Sequence, residues 1–300
     1  MTIVKNIKKL LSIKYSLFSI FLLSATTAFS LSFPEISSSL SWEKGVMIFS
    51  LGGLAFILAR TMGIVVNQVV DRSIDGRNPR TAARILPTQQ ISVVFCRSVV
   101  TLSGLVFLAL SFIFNTNCGF LAVLAAILMT IYPHTKCFTT LCHWVLGAVY
   151  YLAILMNFYA FSSGTLSWRV FIVASLWGVS AGMIIAGNDI IYAIQDIAFD
   201  RKERLYSIPA CFGEKKAIRI ASACLIISLL SFLSIGLFIT VAPWVGVLAI
   251  LPVIVVANTI KSYGKIDGSN SSWEKCFFRG NIYLALSFFC VMVALLISKM

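Results

Sequence analysis

The chain has 300 residues, of which 59% are hydrophobic and only 12% charged, with a mean hydropathy of +0.94 and a net charge of +13. Soluble domains run nearer 45–50% apolar and about 25% charged, so composition excludes an ordinary soluble enzyme, a disordered chain and a disulfide-stapled module. What remains is a polytopic, all-α membrane protein. The excess of positive charge does not imply a nucleic-acid partner, because the basic residues fall in short stretches between long apolar runs, which is how a membrane protein marks its cytoplasmic side.

About 20 apolar residues cross a bilayer. In chain order, such runs lie near 15–33, 45–66, 98–114, 119–135, 143–161, 168–188, 217–240, 243–259 and 279–298, which predicts about nine transmembrane helices in one domain, 1–300. The first run follows Lys5, Lys8, Lys9 and Lys14 and contains Ala28-Phe29-Ser30, so it also fits a signal peptide. The even spacing of the later spans and the distribution of charge favour a retained helix. Of the 24 Lys and Arg, 20 fall on the side that holds the N-terminus and the loops 67–97, 131–142, 189–219 and 260–279. The opposite side has Lys44, Arg169 and Lys299. That side is therefore expected to be extracytoplasmic, with the long basic loops facing the cytoplasm of a cell whose plasma (inner) membrane holds the chain. The eight Cys show no Cys-x-x-Cys spacing and read as small apolar filler. His134 and His143 read as loop or interface residues.

The second and sixth runs end in acids. Asn67, Asp71 and Asp75 step by four along one helix face, and Asp189, Tyr192, Asp196 and Asp200 follow at i, i+3, i+7 and i+11. Shifting the first triplet by 125 positions gives Tyr192, Asp196 and Asp200. This is the mark of a repeated unit, with halves of about 1–140 and 141–300. Carboxylates beside hydrocarbon are costly and carry a partner or a task. Like charges one turn apart repel unless a cation sits between them, and Mg²⁺ is held by one or two carboxylates together with substrate phosphates. Two acidic stripes across a cavity therefore suit a Mg²⁺-bridged diphosphate. Arg72, Arg77, Arg80 and Arg84 after the first stripe, and Arg201 and Lys202 after the second, supply forks and charges for phosphate oxygens.

These residues carry a resemblance. Asn67-Gln-Val-Val-Asp71-Arg-Ser-Ile-Asp75, followed by Asn78-Pro-Arg-Thr81 and Arg84-Ile-Leu-Pro87, resembles the first signature of the UbiA family of intramembrane aromatic prenyltransferases. Asp189-Ile-Ile-Tyr192-Ala-Ile-Gln-Asp196-Ile-Ala-Phe-Asp200-Arg-Lys resembles the second, and Tyr132-Pro133-His-Thr-Lys136 with Phe138-Thr139 the shorter loop motif. Ser207-Ile-Pro-Ala210 with Phe212-Gly213 is similar to the branch that prenylates 4-hydroxybenzoate and to its menaquinone-pathway relatives. Gln68, Cys137 and the stretch Ile13-Lys14-Tyr15-Ser16 depart from the pattern.

The resemblance implies a helical bundle around a central cavity. It also implies transfer of a polyprenyl group from its diphosphate to the ring of 4-hydroxybenzoate or a similar small aromatic acid, in ubiquinone or menaquinone synthesis. Asn67, Asp71, Asp75, Asp196 and Asp200 would hold Mg²⁺. Asn67, Arg72, Arg77, Arg80, Arg84, Lys136, Arg201 and Lys202 would bind the diphosphate. Tyr192 would offer a π face to the allylic cation, and Asp189 would orient or deprotonate the phenol. Arg60, inside the second run and seven residues before Asn67, would meet the acceptor's carboxylate or pair with an acid of the cluster. The prenyl tail would lie in a tunnel open to the bilayer. Haem, chlorophyll or lipid-ether acceptors are alternatives within the superfamily. A transporter is the alternative outside it, and would place its acids at mid-membrane on broken helices.

Overall fold

In a computed structural model of the chain, residues 16–38, 40–264 and 270–299 are described. The basic N-terminal stretch through Lys14, and Lys265, lie outside the described residues. The elements in order are α1 (Ser16–Leu31), α2 (Pro34–Ser37), α3 (Trp42–Val70), α4 (Arg72–Arg77), α5 (Val93–Phe114), α6 (Thr116–Thr135), α7 (Cys142–Phe161), α8 (Trp168–Ala193), a 3₁₀ turn (Ile194–Asp196), α9 (Ile197–Lys202), α10 (Ile208–Phe212), α11 (Glu214–Ser234), α12 (Pro243–Leu248), α13 (Ile250–Tyr263) and α14 (Asn270–Ile297). Small polar residues start the long helices. Ser41, Ser92, Asn115 and Ser167 each accept a backbone N–H three residues on, at the heads of α3, α5, α6 and α8.

Eight helical segments among the described residues are long and apolar enough to cross a membrane. The ninth expected span, α1, is described over 16 residues and is shorter than that. The run expected from residue 98 starts at Val93, because α5 carries the exposed Arg97 near its end without breaking. The run expected over 243–259 is jointed between α12 and α13, and together they reach Tyr263.

The helices pack in sequence around a cavity: α3 on α5, α5 on α6, α6 on α7, α7 on α8 and α8 on α11, with α14 against both α13 and α1. The central element is α8, whose Trp177, Ala181 and Ile184 are fully enclosed. Small residues let its backbone approach its neighbours. A Cβ on Gly147 of α7 would lie 2.6 Å from the Gly182 carbonyl oxygen of α8, and one on Gly182 would lie 2.8 Å from that of Gly147. The two backbones touch at this crossing, which fixes the register of α7 against α8. One apolar core joins α1, α7, α8, α11 and α14, and a second joins α3, α5, α6 and α7. Large side chains such as Leu54, Ile57, Leu105, Ile113 and Leu230 face outward, as the wall of a lipid-embedded bundle requires.

Both acidic motifs sit on helix joints. Asp71 closes α3 and precedes α4, and the 3₁₀ turn at 194–196 separates α8 from α9. The expected unbroken stripes are thus each interrupted in the middle, with Asp189 still on α8 and Asp196 at the end of the 3₁₀ turn.

Candidate active site

The two motifs and the loop motif meet at one end of the bundle. From the first motif's flank, Arg80 donates through Nε to Asp196 Oδ1 at 2.9 Å and pairs through its second terminal nitrogen with Asp196 Oδ2. Its remaining nitrogen donates to the Tyr192 hydroxyl at 3.0 Å. Asn78 donates to Asp196 Oδ1 at 2.8 Å. Burial disfavours the Arg80 cation, but its bonds to Asp196 and Tyr192 outweigh this and hold its pKa above the ordinary arginine value. Lys136, after the Tyr132-Pro133 turn, donates to Asp71 Oδ2 at 2.6 Å. Arg84 donates to Asp75 Oδ2 at 2.8 Å, and Ser207 donates to Asp200 Oδ2 at 2.6 Å while capping α10. The charges of Lys136 and Arg80 both reach Asp200, so Lys136, bonded to Asp71, lies between the two acidic rows.

Asp71 is enclosed, and its Oδ1 has no hydrogen-bond partner among the described residues. Burial pushes the Asp71 carboxyl up from the ordinary carboxylate range, against Lys136, which draws it down. Among the described residues, no three His, Cys, Asp or Glu side chains form a ready-made metal cage. Each acid is instead held by its own donor. The donors nonetheless fit a hard divalent ion shared with phosphate: they are carboxylate oxygens from two facing joints, and one of those oxygens is buried and unsatisfied.

A cavity of about 780 Å³ opens from this cluster into the bundle. Asn67, Gln68, Arg80 and Arg84 line it, as do Arg60, Tyr132, Asn188, Asp189 and Asn281. Further along, its wall is apolar, with Phe49 and Phe56 of α3, Phe107 of α5, Met129 of α6 and Leu23 of α1. Gly52 and Gly53 also line it, and a Cβ on either would meet nothing within 4 Å.

Not every expected residue joins the site. Arg77 is exposed and pairs with Glu203 at 2.7 Å, a bridge between the loops after the two motifs. Arg201 is turned to the Ala210 carbonyl at 2.8 Å, which fastens α10. Arg72 and Lys202 are exposed. These four follow the acids in sequence, but the short helices α4 and α9 rotate them away from the cavity. The ring of Tyr192, expected to face an allylic cation, already carries the Arg80 guanidinium 5.1 Å from its centre. Tyr192 therefore supports Arg80 in this arrangement. His134 is exposed, but it lies in the last turn of α6 and not in a loop. His143 is not a loop or interface residue: it is buried in the first turn of α7, 2.7 Å through Nδ1 from Asp189 Oδ2. Sequence reasoning missed it because nothing near it in the chain is acidic; its partner lies 46 residues away. Asn188 and Asn281, paired in the cavity wall, were likewise silent in sequence.

A 4-hydroxybenzoate octaprenyltransferase of Pseudomonas aeruginosa (strain LESB58) is 35% identical over 184 residues, which cover 60% of this chain and 58% of that protein. The protein of the same name from Blochmanniella pennsylvanica (strain BPEN) is 30% identical over 194 residues, covering 61% and 62%. The chain thus spans about three fifths of the length of these curated relatives. The fold matches that of a UbiA homolog from Aeropyrum pernix K1, with a TM-score of 0.76 at 23% identity over 94% of this chain and 98% of that one. It also matches a UbiA homolog from Archaeoglobus fulgidus bound to GPP and Mg²⁺, with a TM-score of 0.66 at 22% identity over 97% and 99%. A model of the UbiA prenyltransferase family matches residues 18–296, from the first described helix almost to the end of the last. With the acidic joints held by the cavity-lining Arg80 and Arg84, and with a family match of that length, the chain is an integral membrane protein that belongs to the UbiA prenyltransferase family.

Proposed function

We propose that the protein transfers a polyprenyl group from its diphosphate to the ring of 4-hydroxybenzoate or a closely similar aromatic acid, with Mg²⁺, at the cytoplasmic face of the plasma (inner) membrane in respiratory quinone synthesis. The observation that carries this reading is the joining of both acidic motifs through Arg80, Asn78 and Lys136, with Arg80 itself lining the cavity. The curated relatives named 4-hydroxybenzoate octaprenyltransferase support the acceptor and the polyprenyl donor. The Archaeoglobus homolog bound to GPP and Mg²⁺ supports the donor chemistry and the metal.

Asn67, Asp71, Asp75, Asp196 and Asp200 would hold Mg²⁺. When bound, the ion neutralises charge on the diphosphate and makes it a better leaving group. Arg80, Arg84 and Lys136, now held by the acids, are the cations that turn to phosphate oxygens when the acids are engaged elsewhere. The C1–O bond of the prenyl diphosphate breaks and its electron pair leaves with the diphosphate. A ring carbon ortho to the phenolic oxygen bonds to C1, and the proton on that carbon is released as aromaticity returns. Asp189, in the cavity wall, accepts the phenolic hydrogen and raises the electron density of the ring. Arg60, in the same wall, meets the acceptor's carboxylate. The apolar far wall takes the prenyl tail and keeps water from the cation.

The helix joints at Asp71 and at 194–196 also support the two pseudo-repeats, about 1–140 and 141–300. A transporter is disfavoured because Arg80 of one motif bonds Asp196 of the other, so both lie at one end of the bundle. The test is a panel of aromatic acceptors and prenyl diphosphates of graded length, given to purified protein with Mg²⁺. Prenylated 4-hydroxybenzoate is expected; turnover only with a lipid alcohol or a porphyrin would replace the acceptor assignment.

A further inference from the structure

A buried imidazole is costly unless both ring nitrogens are satisfied. His143 is 3% exposed, and both of its nitrogens have partners. The backbone N–H of Ile208 points at Nε2 at 3.4 Å, an arrangement that suits a bare Nε2 with the hydrogen on Nδ1. That hydrogen goes to Asp189 Oδ2 at 2.7 Å. The Tyr132 hydroxyl approaches the same Oδ2 at 3.4 Å. Both donors thus use one oxygen of Asp189 and leave Oδ1 to the cavity that Asp189 lines. The Gly147–Gly182 crossing lies one turn along α7 from His143 and two turns before Asp189 on α8, so backbone contact sets this pair in place. On the far side of the ring, Ile208 follows Ser207, which holds Asp200.

We propose that His143 is a positioning residue for prenyl transfer: it clamps Oδ2 of Asp189 so that Oδ1 faces the acceptor's phenolic hydroxyl, and it ties that carboxylate to the Ser207–Ile208 segment that holds Asp200. This rests on the reading of Asp189 as the group that meets the acceptor. The phenolic proton passes to Oδ1 of Asp189, while the Nδ1–H bond to Oδ2 is retained throughout, so His143 neither gains nor loses a proton.

The test uses full-length protein in detergent. His143→Leu removes both bonds, whereas His143→Asn places an amide nitrogen where Nδ1 stood and keeps the bond to Asp189. His143→Leu is expected to lower kcat on the order of 100-fold with KM for the prenyl diphosphate unchanged, and His143→Asn to recover most of the loss. Undiminished kcat in a folded His143→Leu protein would overturn the proposal. So would an equal defect in the two variants, or a loss confined to prenyl diphosphate KM, since each assigns His143 to packing or to the diphosphate. A second readout does not need turnover. In ¹⁵N-histidine-labelled protein, His143 should show a protonated Nδ1 and a bare Nε2, with the Nδ1 signal moving in Asp189→Asn. The opposite tautomer would also overturn the proposal. If the tautomer is as stated but the unaltered protein prenylates no aromatic acid, the acceptor reading itself falls and the positioning role falls with it. An active protein indifferent to His143→Leu removes the positioning role alone.

Discussion

Lys136 Nζ lies 2.6 Å from Asp71 Oδ2, while Oδ1 of the same carboxylate is buried without a hydrogen-bond partner among the described residues. On the proposed function, Lys136 would hold the acid until the metal ion arrives, and the unsatisfied oxygen would give that ion a first ligand. The same logic applies to Arg84 on Asp75 and Arg80 on Asp196.

Asp71→Ala and Asp196→Ala should each lower prenyl transfer by at least roughly 100-fold, the scale of losing one electrostatic element of a preorganised site. Both variants should still insert, because each acid sits at a helix joint and not in a packed core stripe. The measurement is labelled prenyl transfer in membranes normalised to the amount of inserted protein. Undiminished product from either variant would defeat the assignment.

Lys136→Met should destabilise the unliganded protein by about 1–3 kcal/mol, the scale of leaving a largely buried partner unsatisfied. A lower thermal midpoint in detergent checks this. An unchanged midpoint would mean that the ion pair adds nothing to the resting state.

Chelation with EDTA should abolish turnover, and Mg²⁺ should restore it. Because no protein-only cage is preassembled among the described residues, thermal stabilisation should require Mg²⁺ and inorganic pyrophosphate together. A full shift with Mg²⁺ alone would show a standing metal site that the side-chain arrangement does not suggest.

Arg77 and Arg80 sit three residues apart but should behave differently. Arg77→Ala removes an exposed bridge to Glu203 and should leave KM for the prenyl diphosphate within about twofold. Arg80→Ala removes the link between the two motifs and should impair turnover severely. Equal effects in steady-state kinetics would return Arg77 to the diphosphate site.

Gly147→Ala should destabilise the fold, since the new methyl would press on the Gly182 carbonyl at 2.6 Å and neither backbone can yield cheaply. A cost of about 1–3 kcal/mol follows from overpacking and is readable as a lower thermal midpoint. Gly52→Leu is the contrasting case. Its side chain enters open cavity, so stability should hold while long prenyl diphosphates lose kcat/KM relative to short ones.

Amino-acid order alone determined the class of the molecule and the position of its chemistry along the chain. Hydropathy runs set the spans because a bilayer demands about 20 apolar residues, and scarce acids stood out because hydrocarbon penalises them. It also placed Asp71, Asp75, Asp196 and Asp200 together with their basic neighbours. Only the tertiary structure decided which partners those bases meet. Arg80 and Arg84 turn inward while Arg77 and Arg201 turn to Glu203 and the Ala210 carbonyl, because the joints at Asp71 and 194–196 rotate side chains off the helical period on which the stripes were drawn. His143 became visible only when α7 and α8 were packed at their glycines. A contact across 46 residues leaves no periodic trace in one sequence; it exists because two backbones can touch at Gly147 and Gly182.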